Sequence, residues 1–160
     1  MAALAPYPVN AELDLLLDRF IDVPPELVWD AWTKPELLMQ WFCPKPWSVS
    51  ECRIDLRPGG EFFTMMRSPE GQEFPNHGCC LEVVPKQRLI FTDALTAGYR
   101  PSASPFMTAV VTMQSEGSGT RYVWMALHRD AETVRKHEEM GFHNGWATAA
   151  DQMVALIKTL

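Results

Sequence analysis

The sequence predicts an α+β domain: a curved antiparallel sheet of about six or seven strands wrapped around a long C-terminal helix, with two short helices after the first strand. Three observations predict it. Apolar–polar alternation recurs between tight-turn signals, which is the pattern of hairpins. The C-terminal stretch instead carries apolar side chains every three or four positions, as an amphipathic helix does. Residues 24–44, PPELVWDAWTKPELLMQWFCP, set tryptophans among prolines, a pattern that only short, interrupted helices accommodate.

The elements follow in order. Residues 12–22, ELDLLLDRFID, put Leu13, Leu15, Leu17 and Ile21 on one face and Asp14, Asp18 and Asp22 on the other, as in a half-buried strand. Two helices are expected at 25–32 and 35–41, the second opened by Thr33 and Glu36 at capping-box spacing. They cannot form a core alone, so they are expected to fill the gap between the first two strands and close one end of the sheet. WSVSECRIDL alternates with Cys52, Ile54 and Leu56 inward, and Pro58-Gly59-Gly60 turns it into the strand EFFTMMR. Both glycines of that turn are expected at positive φ. Ser68-Pro69-Glu70-Gly71 marks the next turn, followed by the strands NHGCCLEVV and RLIFTD. ALTAGYRPSASP, 94–105, has no periodicity and reads as a mobile loop. FMTAVVTMQ and TRYVWMALH flank Glu116-Gly117-Ser118-Gly119 as a hairpin. Asp130 stands where it can cap the final helical stretch, whose stripe runs through Phe142, Trp146, Ala149, Ala150, Met153, Ile157 and Leu160. Gly141 and Gly145 are expected to let that helix begin close against its neighbours.

The chain has 160 residues, enough for one domain with a real core. Residues 1–11 read as a flexible arm and 12–160 as the domain; the start lacks the pattern of a secretory signal. A formal charge of -6, with fourteen Lys and Arg in no dense block, argues against nucleic acid. No apolar run is long enough for membrane insertion. Cys43, Cys52, Cys79 and Cys80 show no C-x-x-C spacing, so reduced thiols and a cytoplasmic location are expected, with no metal and no cofactor.

Five stretches carry a family resemblance: RFIDVPPELVWDAWTKPELLMQWFCP, IDLRPGGEF, LEVVPKQRLIFTD, GTRYV and HEEMGFHNGW, each at its expected structural junction. In this order they resemble the helix-grip fold of the START-like superfamily. Within it they are similar to single-domain members of the family named for the activator of the ninety-kilodalton heat-shock chaperone's ATPase. The resemblance covers about Leu13 to Leu160. It implies a cavity between sheet and helix, and a range of roles: chaperone activation, polyketide cyclisation, lipid carriage or sequestration of a reactive compound. The eukaryotic activators carry a separate amino-terminal domain that binds the chaperone, for which this chain is expected to have no room.

Strand parity selects the expected cavity lining: Phe62 and Met66; His77 and Cys79, with Glu82 outward; Phe91; Met107 and Val111; Tyr122, Trp124 and His128; and Phe142, Trp146 and Met153 from the helix. Nine methionines favour an adaptable interior. The function expected is binding or sequestration of a small hydrophobic or aromatic molecule by a monomer or homodimer. The alternatives are a cyclase- or aromatase-like enzyme using His77, His128 and Tyr122, and a chaperone-interacting protein. No acid, base and oxyanion donor stand at a spacing tied to a known reaction, so no catalytic residue is assigned. His137 and His143, at the start of the last helix, are expected to be solvated. The charged pair Asp55 and Arg57 reads as a structural companion of the Gly59-Gly60 turn.

Overall fold

A computed structural model of the chain describes residues 8–160; the arm expected over residues 1–11 lies, as far as residue 7, outside them. Seven strands form one antiparallel sheet: β1 (Asp14–Ile21), β2 (Ser48–Ile54), β3 (Glu61–Arg67), β4 (Glu73–Val84), β5 (Arg88–Thr92), β8 (Thr108–Glu116) and β9 (Gly119–Leu127). Between β5 and β8 lie two short strands, β6 (Leu95–Thr96) and β7 (Arg100–Pro101), which pair only with each other. Four helices complete the chain: α1 (Pro25–Thr33), α2 (Pro35–Leu38), α3 (Ala131–Glu139) and α4 (Phe142–Ile157). This is the helix-grip fold.

The sheet order is β1-β9-β8-β5-β4-β3-β2. Strands adjacent in sequence, β1 and β2, therefore stand at opposite edges, and the tryptophan-rich segment must cross between them. A proline opens each of its helices, where the missing N–H costs no helical hydrogen bond. Lys34, not Thr33, is the N-cap of α2, and its side chain makes no cap bond. The expected capping box does not form, because the Thr33 hydroxyl donates back to the Trp29 carbonyl at 2.7 Å. The second helix is also shorter than expected, ending at Leu38.

Trp32 and Trp41 are wholly buried, so each indole N–H needs an acceptor. Trp32 donates to the Tyr122 hydroxyl and Trp41 to the Ala31 carbonyl, both at 3.0 Å. Gln152 on α4 fixes the far end of the segment. Its amide donates to the carbonyls of Trp41 (3.0 Å) and Cys43 (2.8 Å) and accepts from the Lys45 N–H (3.0 Å). Arg19 of β1 ties the opposite edge to α4 through Asp151 at 2.8 Å.

The C-terminal helical stretch is divided. Asp130 caps α3, accepting from the Thr133 N–H at 2.8 Å, and Gly141 then takes a left-handed conformation (φ 87) before α4 begins. The role expected for Gly141 was close approach, yet nothing lies within 4 Å of where its Cβ would stand; the backbone turn alone requires glycine. In the β2–β3 turn only Gly59 has positive φ, at 83. Gly60 is needed for space, since a Cβ there would sit 1.9 Å from the Asp55 carbonyl oxygen. Asp55 and Arg57 pair beside this turn at 2.8 Å. The segment 94–105, expected as a loop without structure, forms the β6–β7 ladder and lays the Tyr99 ring over Gly59. Leu56, expected inward, is exposed.

Candidate functional site

Sheet and α4 enclose a core along most of their shared length. Val111, Tyr122, Trp124 and Met153 are fully or almost fully buried there and fill the space between the layers. At the N-terminal end of α4 the layers separate, leaving a cavity of about 530 Å³. From the sheet, Phe62, Thr64 and Met66 of β3 and Phe91 of β5 line it. Phe142 and Trp146 line the helix side, and Phe42, Cys43 and Pro44 the tryptophan-rich side. Phe62 and Phe91 stack with centroids 4.1 Å apart, and Phe42 meets Trp146 edge-on at 5.2 Å. Half-exposed Trp47 and the exposed Met140 mark the mouth.

Seven of the thirteen expected lining residues reach this cavity: Phe62, Met66, His77, Phe91, Met107, Phe142 and Trp146. Six do not. Four are the core residues just named, and His128 and Cys79 are the others. For His77 and Cys79 the expected orientation is wrong. The β4–β5 register slips between Cys80 and Glu82, so Leu81 is an extra residue in β4. Val83, opposite Leu89, faces the core, but before the bulge the parity inverts, and Cys80, Gly78 and Asn76 take the inner face. Cys79 is buried on the other face. His77 is exposed; its ring lies tilted against outward Phe63 with centroids 4.8 Å apart, and it meets the cavity only at the edge.

Tyr122, His128 and His77 are not brought together. The Tyr122 hydroxyl serves Trp32, and burial pushes its pKa well above the ordinary phenol value. His128 Nδ1 bonds the Leu13 carbonyl and its Nε2 bonds His137 Nδ1, each at 2.8 Å. His137, expected in solvent, is only 7% exposed. It sits between Phe106 (centroids 4.8 Å) and Phe142 (4.9 Å) and lines the cavity. Burial, then the neighbouring His128, lowers its pKa to about 4, so it is neutral at physiological pH. His143 is exposed, as expected.

Among the described residues Asp93, just past β5, is the one acidic side chain in the lining, and there is no Lys or Arg. Its Oδ1 accepts the N–H groups of Phe106 (2.7 Å) and Met107 (3.0 Å), bonds that fold the chain entering β8 against the cavity. Burial nonetheless raises its pKa. Parity carried two residues past inward Phe91 points to Asp93, the last residue of the expected strand RLIFTD, but it could not have found His137, which lies on a charged helix. The sequence signal available was an acid that shares the inward face of Leu89 and Phe91. Burial also pushes the thiols of Cys43, Cys52 and Cys80 up to about 11, and all four cysteines are free. Among the described residues no group of three or more His, Cys, Asp or Glu could hold a metal ion, and no helix is long and apolar enough to cross a membrane.

Fold and cavity together define a helix-grip domain with its concavity at the start of the long helix α4. The chain belongs to the Activator of Hsp90 ATPase homolog 1-like protein family, whose model matches residues 22–158. Among solved structures, a protein from Nitrosomonas europaea is 54% identical, with a TM-score of 0.92 over 94% of this chain and 97% of that one. A protein from Mycobacterium smegmatis is 24% identical (TM-score 0.77, 91% of each chain). An AHSA1-like protein from Aeromonas hydrophila is 21% identical (TM-score 0.70, 92% of this chain and 93% of that one). The last two show a shared fold alone. No curated protein matches.

Proposed function

We propose that the protein binds a small, largely apolar aromatic molecule in the cavity at the N-terminal end of α4, carrying or sequestering it. The observation that supports this reading is the cavity's wall: about 530 Å³ faced by Phe42, Phe62, Phe91, Phe142 and Trp146, with Met66 and Met107. Such a surface gains from exchanging water for a ring, and the methionines can adjust to its outline. The partner proposed is a small molecule rather than a chaperone, because the feature is a concavity and not an open apolar face. The reading includes a monomer or homodimer in the cytoplasm, where four free cysteines suit a reducing compartment.

The test is native mass spectrometry and ligand-observed NMR against a panel of soluble one- and two-ring aromatics. One-to-one binding in the micromolar range, about -8 kcal/mol, is expected. Thr64 is buried in the cavity wall, so Thr64→Phe fills the space and abolishes binding in a folded protein. A panel without binders refutes the function, and binders that survive Thr64→Phe refute the location.

A further inference from the structure

We infer that the ligand is an aromatic molecule bearing a hydrogen-bond donor, a hydroxyl or an ammonium group, held at one end of the cavity by Asp93 and His137. The inference rests on the binding function proposed above and assigns the chemistry of its ligand.

The order of donors and acceptors at this end follows from one carbonyl. With one proton on the His128 ring, the Leu13 oxygen, which can only accept, holds it on Nδ1. Its Nε2 is then a lone pair and must accept from His137, which places the His137 proton on Nδ1. The remaining His137 nitrogen, Nε2, is left as a bare acceptor without a protein partner among the described residues. A ring 7% exposed that lines a cavity presents that lone pair to whatever occupies it.

Asp93 adds a second acceptor. Its Oδ1 is used by the Phe106 and Met107 amides, while Oδ2 takes no hydrogen bond and no cation among the described residues. Both groups adjoin Phe106, whose N–H is bound by Asp93 and whose ring touches His137. The nearby Thr92 hydroxyl is already occupied by the Met107 carbonyl and the Thr108 hydroxyl. This end therefore offers two acceptors in a cavity lined mainly by apolar side chains. Once an occupant displaces water from this end, an acceptor left unpaired is costly, so a ligand that donates is favoured. A carboxylate ligand would face Asp93 with no Lys or Arg in the lining and is rejected.

Four probes sharing one bicyclic frame test this at pH 8, where the imidazoles are uncharged: naphthalene, 2-naphthol, 2-naphthylmethylammonium and 2-naphthoate. In wild type the naphthol and the ammonium should each bind at least about tenfold tighter than naphthalene, and naphthoate weaker than all. Asp93→Asn keeps an oxygen for the two amides and turns the free position into a donor. It should abolish the advantage of naphthol over naphthalene. His137→Gln should reduce the same advantage. The wild-type series needs no variant, so it decides the matter even if Asp93→Asn fails to fold. Equal binding of naphthalene and naphthol overturns the inference but leaves the binding function intact. A gain for the ammonium alone also overturns it, assigning recognition to the Asp93 charge without His137. Failure of every probe in the frame, together with the wider panel, removes the binding function itself.

Discussion

Replacing His137 by asparagine removes a titrating ring while keeping an amide N–H close to where Nδ1 meets His128. The pH dependence of stability should report the change. An imidazole in the unfolded chain titrates near 6.5, and that of folded His137 near 4. Between those values the unfolded state binds a proton that the native state refuses, so stability falls as pH falls. The contribution is complete above about pH 6.5 and lost by about pH 4. A separation of this size corresponds to roughly 3 kcal/mol at 1.36 kcal/mol per unit. Asp93 works in the opposite direction, since its raised pKa lets the native state take up a proton first as the solution is acidified. It is present in both proteins, so subtracting the two profiles removes it. Urea unfolding at closely spaced pH values supplies the profiles. The asparagine variant should start less stable, through lost packing against Phe106 and Phe142. Its disadvantage should then shrink by about 3 kcal/mol on going from neutral pH to about pH 4. Parallel profiles would show that His137 titrates normally and would refute the burial of a neutral imidazole there.

Gly60→Val should destabilise the domain by more than about 2 kcal/mol, through collision with the Asp55 carbonyl rather than through φ. Thermal unfolding measures it, and an unchanged midpoint would mean that the turn is built otherwise. Gln152→Met retains volume but leaves two carbonyls and one N–H of the tryptophan-rich segment without their partner. At about 1 kcal/mol for each of these bonds the loss is on the order of 2–3 kcal/mol. Equilibrium denaturation within about 0.5 kcal/mol of wild type would contradict the clamp.

Much of the architecture was readable because its signals are local. Alternation and the turn at Gly117-Ser118 specify β8 and β9 wherever they come to lie, and a proline at N1 announces α1 and α2 without reference to the sheet. The cavity was less readable, for three physical reasons. The extra residue Leu81 leaves composition and alternation looking normal, yet it reverses the face of everything before it in β4, which turned His77 and Cys79 away. His137 lies among Glu132, Arg135, Lys136, Glu138 and Glu139, a neighbourhood that reads as solvated; its burial is made by Phe106 and His128, which arrive from other elements. Parity, finally, assigns a face but not a depth. Tyr122 and Trp124 do face the helix and Met153 the sheet, and their bulk fills that end of the layer, so the open space lies where Phe62, Phe91 and Trp146 stand.

The gathering of indoles has an optical consequence. Four of the six tryptophans form a chain of near neighbours, with centroids 5.0 Å apart for Trp32–Trp41, 6.3 Å for Trp32–Trp146 and 4.4 Å for Trp124–Trp146. At such separations an excited ring hands its energy to the next before it can emit. The protein's fluorescence is therefore the property of a shared antenna, drained by whichever indole lies lowest in energy. Trp146 faces the cavity, so an aromatic occupant that quenches it darkens Trp32, Trp41 and Trp124 as well, although none of the three lines that space. Removing one of these rings will likewise redirect the light of the others rather than subtract its own share.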